Sequence, residues 1–249
     1  MVQTEHERIL AERDAFKQFR ECVADLDPSS TVSKTPPPSQ EFSPSIDRHS
    51  ASSTVEGLDD IQQAYRDTVM NTPHYDEEYG DPLVQDMTIE FGEDLTAAIM
   101  TNAQLTSSLQ HVVVQAATAA SARRTAFSTR LDEEEATLED AYQTLATIGE
   151  QYEQITDQPR HQQSVDDLWE THQQLTKRIS TCEHLVEERQ TQRTDGHTSL
   201  PRTDEVGDLQ EYLYRSLDVT YPILADGTTV LERCLTARRR VEEELALRL

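Results

Sequence analysis

Ten residues carry the densest chemistry in the chain: Pro73 to Pro82 reads PHYDEEYGDP and holds His74, Asp76, Glu77, Glu78 and Asp81. An imidazole beside several carboxylates is a donor set for a hard divalent cation or for acid and base work. His74, Asp76 and Glu78 are the candidate metal ligands on that reading. Their spacing matches neither an EF-hand loop nor HExxH, and so acidic a chain also brings carboxylates together by chance.

Tyrosine gives a second candidate. Six of the eight tyrosines fall in two segments, Tyr65, Tyr75 and Tyr79 in one and Tyr212, Tyr214 and Tyr221 in the other. A tyrosine ring packs while its hydroxyl seeks a partner, so the segments are expected to meet, either as a polar-tipped core or as a ligand or partner groove. The groove would be lined by Tyr75, Tyr79, Tyr212 and Tyr214, with Arg66 and Arg215 nearby. No GxSxG, P-loop or GxGxxG sequence occurs. No catalytic set and no cofactor is assigned.

Helices must position these residues. Only 7 glycines accompany abundant Ala, Leu, Glu, Gln and Arg, the residues that lose least on entering a helix. Strand-like alternation is almost absent, so the expected fold is all-α. Thr4 to Leu26 has an apolar stripe of Ile9, Phe16, Phe19, Val23 and Leu26, giving an N-terminal helix over 1–26. From 27 to 57 Ser and Pro dominate, including Pro36, Pro37 and Pro38, which predicts a disordered linker.

The helical domain proper is expected over 58–249. Its head of short helices comprises 58–104 plus 207–224, with Leu58–Asn71 ended by Thr72 and Pro73, and Leu83–Phe91 ended by Gly92. The arm, 105–193, carries a seam of Phe127, Leu131, Leu138, Ala141, Leu145, Ile148, Tyr152 and Ile155 at alternating steps of three and four, violated by Glu134. A turn at 157–160 leads to a second seam of Val165, Leu168, His172, Leu175, Ile179, Cys182 and Val186. A turn that short makes a long antiparallel, coiled-coil-like helical hairpin and pairs Ile148 with Trp169, Leu138 with Ile179 and Leu131 with Val186. A C-terminal helix over 221–249 and the N-terminal helix are expected to pack on each other or on the hairpin. His172 reads as a satisfied seam histidine, and Cys22, Cys182 and Cys234 as reduced, buried thiols.

Charge bounds the partners. Asp and Glu number 47 against 22 Lys and Arg, a formal net charge of -25. Arg123, Arg124 and Arg238 to Arg240 are too few beside that acid to make a nucleic-acid footprint, and are expected to pair with acidic faces such as Asp132 to Glu135 or to sit on solvated helix faces. The surplus is spread along helix faces, the pattern of a protein whose solvent is concentrated salt, where the Debye length falls to about 3 Å. The charged stretch Thr4 to Phe16 is unlike a secretory signal, and Leu109 to Ala122 is too short and too rich in Ala to span a membrane, so a cytoplasmic location is expected.

The segments AERDAF (Ala11 to Phe16), AYRDTVMNTPHYDEEYG (Ala64 to Gly80) and EYLYRSLDVTYPILAD (Glu211 to Asp226) resemble those of a haloarchaeal family of helical, coiled-coil-containing proteins, a domain of unknown function. The resemblance implies a salt-in archaeal host and carries no activity to transfer. The functional expectation is a non-enzymatic protein-interaction or scaffold protein, binding an unknown protein partner or itself through helices. A metal-dependent or small-molecule enzyme using the Tyr-rich head is the alternative, and a regulator acting through a DNA-binding partner is a further one.

Overall fold

A computed structural model describes residues 1–28, 56–101, 104–156, 163–195, 197–199 and 206–248. The chain is predominantly helical: α1 (Val2–Ala24), α2 (Glu56–Thr68), α3 (Tyr75–Glu78), α4 (Leu83–Phe91), α5 (Glu93–Thr101), α6 (Ser107–Thr156), α7 (Val165–Asp195), α8 (Leu209–Tyr214) and α9 (Pro222–Ala246). Between α7 and α8, β1 (His197–Ser199) pairs antiparallel with β2 (Val206–Asp208), a short ribbon in a chain whose sequence shows almost no strand-like alternation. Most of the expected Ser/Pro linker lies outside the described residues. No helix among them is long and apolar enough to cross a membrane.

The chain divides into two compact units, and the division falls inside α6, between Thr129 and Arg130. The N-terminal unit holds α1 from Thr4, α2 to α5 and the first half of α6. The C-terminal unit holds the rest of α6, α7, the ribbon, α8 and α9. This differs from a head built of 58–104 plus 207–224, because those two stretches belong to different units.

In the N-terminal unit α1 is part of the core instead of a separate segment. Phe16, Phe19 and Val23 pack with Leu58, Ile61 and Tyr65 of α2 and with Val113, Ala117 and Ala120 of α6. Phe16, Phe19, Tyr65 and Phe91 form an aromatic group whose ring centroids lie 5.2 to 6.3 Å apart. Small residues on α6 let the other helices approach, which accounts for the Ala-rich stretch that resembles a membrane segment. Gln110 supplies a further tie: its side-chain amide donates to the carbonyls of Val23, Ala24 and Leu26, satisfying acceptors that the end of α1 leaves open. Cys22 is exposed, because the buried stripe runs through Phe19 and Val23 beside it.

In the C-terminal unit α7 lies against α9. Leu168 and Leu175 share a cluster with Ala237, Val241 and Leu245, and His172 Nε2 lies 3.0 Å from Glu242 Oε1, so the two helices run antiparallel. The helices approach closely at Gly227, where an added Cβ would sit 2.9 Å from Val186 Cγ2. Ile148 of α6 joins Ile179, Cys182 and Cys234 in one cluster. The expected pairing of Ile148 with Trp169 is therefore displaced, and Trp169 is exposed. The turn expected at 157–160 lies outside the described residues, and α7 spends its apolar stripe on α9, with Leu168 and Leu175 against Ala237, Val241 and Leu245.

Helix starts follow local chemistry. Ser164 and Asp167 make a reciprocal cap at the start of α7, with Ser164 N–H donating to Asp167 Oδ2 at 2.8 Å and Asp167 N–H to Ser164 Oγ at 3.1 Å. Asp208 Oδ1 accepts from the N–H groups of Gln210 and Glu211 and so starts α8.

Candidate functional site

Arg124, 1% exposed, is the largest fully buried side chain in the N-terminal unit. It projects from α6 between α1 and α4. Nε donates to Glu12 Oε2 at 2.9 Å, while Nη1 and Nη2 donate to Glu90 Oε2 and Oε1 at 2.8 and 2.5 Å. The guanidinium carbon lies 4.4 Å from the Phe16 ring centroid. Arg123 adds a longer bond to Glu90 at 3.3 Å. The pair Arg123 and Arg124 thus answers to Glu12 and Glu90, not to the acidic run Asp132 to Glu135.

Glu12 has two further partners. Tyr79 Oη donates to its Oε1 at 2.7 Å, and His74 Nε2 approaches the same oxygen at 3.0 Å. Burial pushes the Glu12 carboxyl up, but the His74 bond, the Arg124 charge and the Tyr79 hydroxyl together outweigh it, and the net direction is down. Arg124 is likewise penalised by burial, yet the bonds and charges of Glu90 and Glu12 hold it protonated. Nearby, the buried Tyr65 hydroxyl donates to buried Asp86 at 2.6 Å, and burial with the Asp86 and Glu90 charges raises its phenol well above the usual range. These carboxylates and cations are mutually satisfied, an arrangement that fixes helices in place.

That network redistributes the expected metal ligands. His74 is turned onto Glu12, Glu78 pairs with Arg8 at 2.9 Å, and Asp76 is exposed. No group of three or more His, Cys, Asp or Glu side chains among the described residues is placed to hold a metal ion. The adjacency of these residues in sequence is undone by α3, a short helix that fans their side chains apart.

The groove candidates are likewise distributed between the units. In the N-terminal unit Tyr75 is buried, donating to the Asp81 carbonyl at 3.2 Å and meeting the Tyr79 ring edge-on, while Arg66 is exposed. In the C-terminal unit Tyr214 is buried, its hydroxyl donating to Glu134 Oε1 at 2.5 Å. Arg215 lies over the Tyr212 ring at 5.2 Å. Burial and a committed hydroxyl make Tyr75 and Tyr214 parts of the packing, not walls of a groove.

Glu134, the residue that breaks the α6 seam, is the centre of a second network. Arg189 of α7 grips it with Nη1 on Oε2 at 2.9 Å and Nη2 on Oε1 at 2.5 Å, beside the Tyr214 hydroxyl. Burial, the bond to Glu134 and its charge all push the Tyr214 phenol up, so it stays neutral and donates. Next to this pair opens a cavity of about 730 Å³, bounded by α6, α7 and the start of α8. A second, of about 450 Å³, shares His184, Glu188, Arg189 and Gln192 with it. Arg189 Nε and Gln210 Oε1, both on residues lining the larger cavity, have no hydrogen-bond partner.

The sequence marked Arg124 only as one of a basic pair, and Glu12, Glu90, Arg189 and Gln210 not at all. The signal available was Glu134: a carboxylate at a seam position must find a cation, and Arg189 stands one turn past Val186 on the facing stripe. For Arg124 no comparable signal exists, since Glu12 and Glu90 are remote in sequence and sit among many other acids.

No curated protein and no solved structure matches the chain. A family model does match, over residues 1–238, and by that match the chain belongs to the family described as Domain of unknown function (DUF7260).

Proposed function

We propose that the protein is a non-enzymatic interaction or scaffold protein of a haloarchaeal cytoplasm, in which the second half of α6 and α7 form an antiparallel, coiled-coil-like hairpin that presents side chains to a protein partner. The observation that carries this is the exposure of two aromatic side chains on those helices, Trp169 at 55% and Tyr142 at 71%. Trp and Tyr dominate the energetics of protein interfaces, and leaving them in water is costly unless a partner covers them. Trp169 is also stacked on His172, ring centroids 5.5 Å apart, which holds it ready in one orientation. The net charge of -25 is the solvent adaptation that such a cytoplasm requires.

Capture from host extract in molar KCl, comparing the natural chain with a Trp169→Ala, Tyr142→Ala variant, tests the reading. A partner retained by the first and lost by the second is expected. Identical recoveries from both chains, or none from either together with a monomeric mass by light scattering, would overturn it.

A further inference from the structure

Two contacts fix the register of the antiparallel pair α7 and α9: His172 faces Glu242 at 3.0 Å, and Val186 and Leu185 face Gly227. Between those anchors Cys182 of α7 and Cys234 of α9 fall within one turn of direct opposition. A Cα–Cβ bond tilts toward the N-terminus of its own helix, so in this antiparallel pair each cysteine leans toward the other. Both are free and fully buried, and they share one cluster with Ile148 and Ile179. Burial, and then the Cys234 sulfur, push the Cys182 thiol up to about 11. Burial pushes Cys234 up as well, but there the Arg178 and Arg233 charges oppose it, so Cys234 is the readier thiolate. Any small apolar pair would meet the packing, whereas guanidinium groups that favour the ionised form of one member are a feature of reactive thiols.

We propose that Cys182 and Cys234 are a redox latch, in which oxidation by a peroxide joins them in a disulfide that fastens α9 to α7. The Cys234 thiolate attacks one peroxide oxygen and the O–O bond breaks. Cys234 becomes a sulfenic acid, and the hydroxide that leaves takes up the proton the thiol gave, as water. The Cys182 thiolate then attacks the Cys234 sulfur, forming the S–S bond and breaking the S–O bond, and the departing hydroxide leaves as a second water. Two thiols and one hydrogen peroxide thus give one disulfide and two waters. Neither sulfur is reachable in the closed structure, so the first step waits on a local opening of α9 from α7, which the finished bond then prevents.

The test exposes the folded chain, carrying Cys22→Ser to remove the exposed thiol, to millimolar hydrogen peroxide overnight in molar KCl. Products are mapped by mass spectrometry after alkylation. An intramolecular link between Cys182 and Cys234, reversed by dithiothreitol, is expected in most chains. The thermal midpoint of the C-terminal unit, read by Trp169 fluorescence, should rise by about 10 °C. With Cys182→Ser added, dimedone should trap Cys234 as its sulfenic acid; with Cys234→Ser added instead, Cys182 should stay a thiol. Two free thiols at the end of the exposure, sulfinic acids without a link, links between chains only, or a link that forms in the urea-unfolded chain and not in the folded one would overturn the latch. If either added serine prevents folding, the product map of the Cys22→Ser chain decides alone.

Discussion

Replacing Arg124 with Met keeps most of the side-chain stem against Phe16 and removes the charge that Glu12 and Glu90 share. Two carboxylates, at 4% and 6% exposure, would then lose the cation they share, leaving Glu90 only the longer Arg123 contact and Glu12 only Tyr79 and His74. Breaking a buried ion pair from one side costs about 3 to 5 kcal/mol, because the abandoned charge is left without solvent or partner. For a unit spanning Thr4–Thr129 each kcal/mol corresponds to about 4 °C, so the transition of the N-terminal unit should fall by about 16 °C. Far-UV circular dichroism follows both units, whereas the fluorescence of Trp169, the single tryptophan, follows the C-terminal unit. Urea unfolding read by both probes therefore separates them. The loss should be nearly the same at 0.1 and 1 M KCl, since salt does not reach a guanidinium that is 1% exposed. Adding Glu12→Gln and Glu90→Gln to Arg124→Met should restore part of the stability by removing the stranded charges. A loss below about 1 kcal/mol, the size of a surface pair, or a strong salt dependence, would refute the reasoning.

The Glu12 carboxyl titrates below its ordinary value of 4.5 in the folded chain, so it contributes stability above that pH and loses it as pH falls through the folded value; Glu12→Gln should flatten this acid limb in stability-against-pH curves. Cys182 is pushed up to about 11 by burial and the neighbouring Cys234, so in a thiol-labelling time course only Cys22 should react quickly in the native state. Gly227→Ala should destabilise by about 1 kcal/mol despite the gain in helix propensity, because its methyl meets Val186; in a Val186→Ala background the same change should become neutral or stabilising, as a double-mutant cycle in urea would show.

The helices were legible in the sequence because each is bounded by local chemistry: α4 ends at Gly92, α7 starts at Ser164 and α9 carries Pro222 in its first turn. The placement of the tyrosines was not. Tyr75 and Tyr214 look alike in sequence, yet one donates to the Asp81 carbonyl and the other to Glu134, partners set by tertiary packing alone. Partner choice was equally unmarked: nothing in the apolar stripe of α7 says which helix it faces, and Leu168 and Leu175 cluster with Ala237, Val241 and Leu245 of α9. The cavity left a fainter trace, since nothing about Gln210 in the sequence distinguishes a buried amide from a solvated one.

Lys17, Lys34 and Lys177 are the only lysines, so nearly all positive charge in this chain is arginine. The two buried networks give that preference a structural reason beyond solvent. Arg124 and Arg189 each set two nitrogens on the two oxygens of one glutamate, a planar match that an ammonium cannot make. Arg189→Lys separates charge from geometry. It preserves the net charge and the pairing with Glu134, so Coulomb attraction alone predicts no change in stability. The bidentate contact predicts otherwise: one glutamate oxygen, already bonded to Tyr214, loses its guanidinium donor, at a cost of about 1 to 3 kcal/mol. Trp169 fluorescence in urea reads this loss in the unit that contains it. An unchanged midpoint would mean that Glu134 is held by charge, and that the break it makes in the α6 seam specifies nothing about register. A measured fall would make Glu134 the device that fixes how α6 meets α7, since any slip of one turn strands a buried carboxylate.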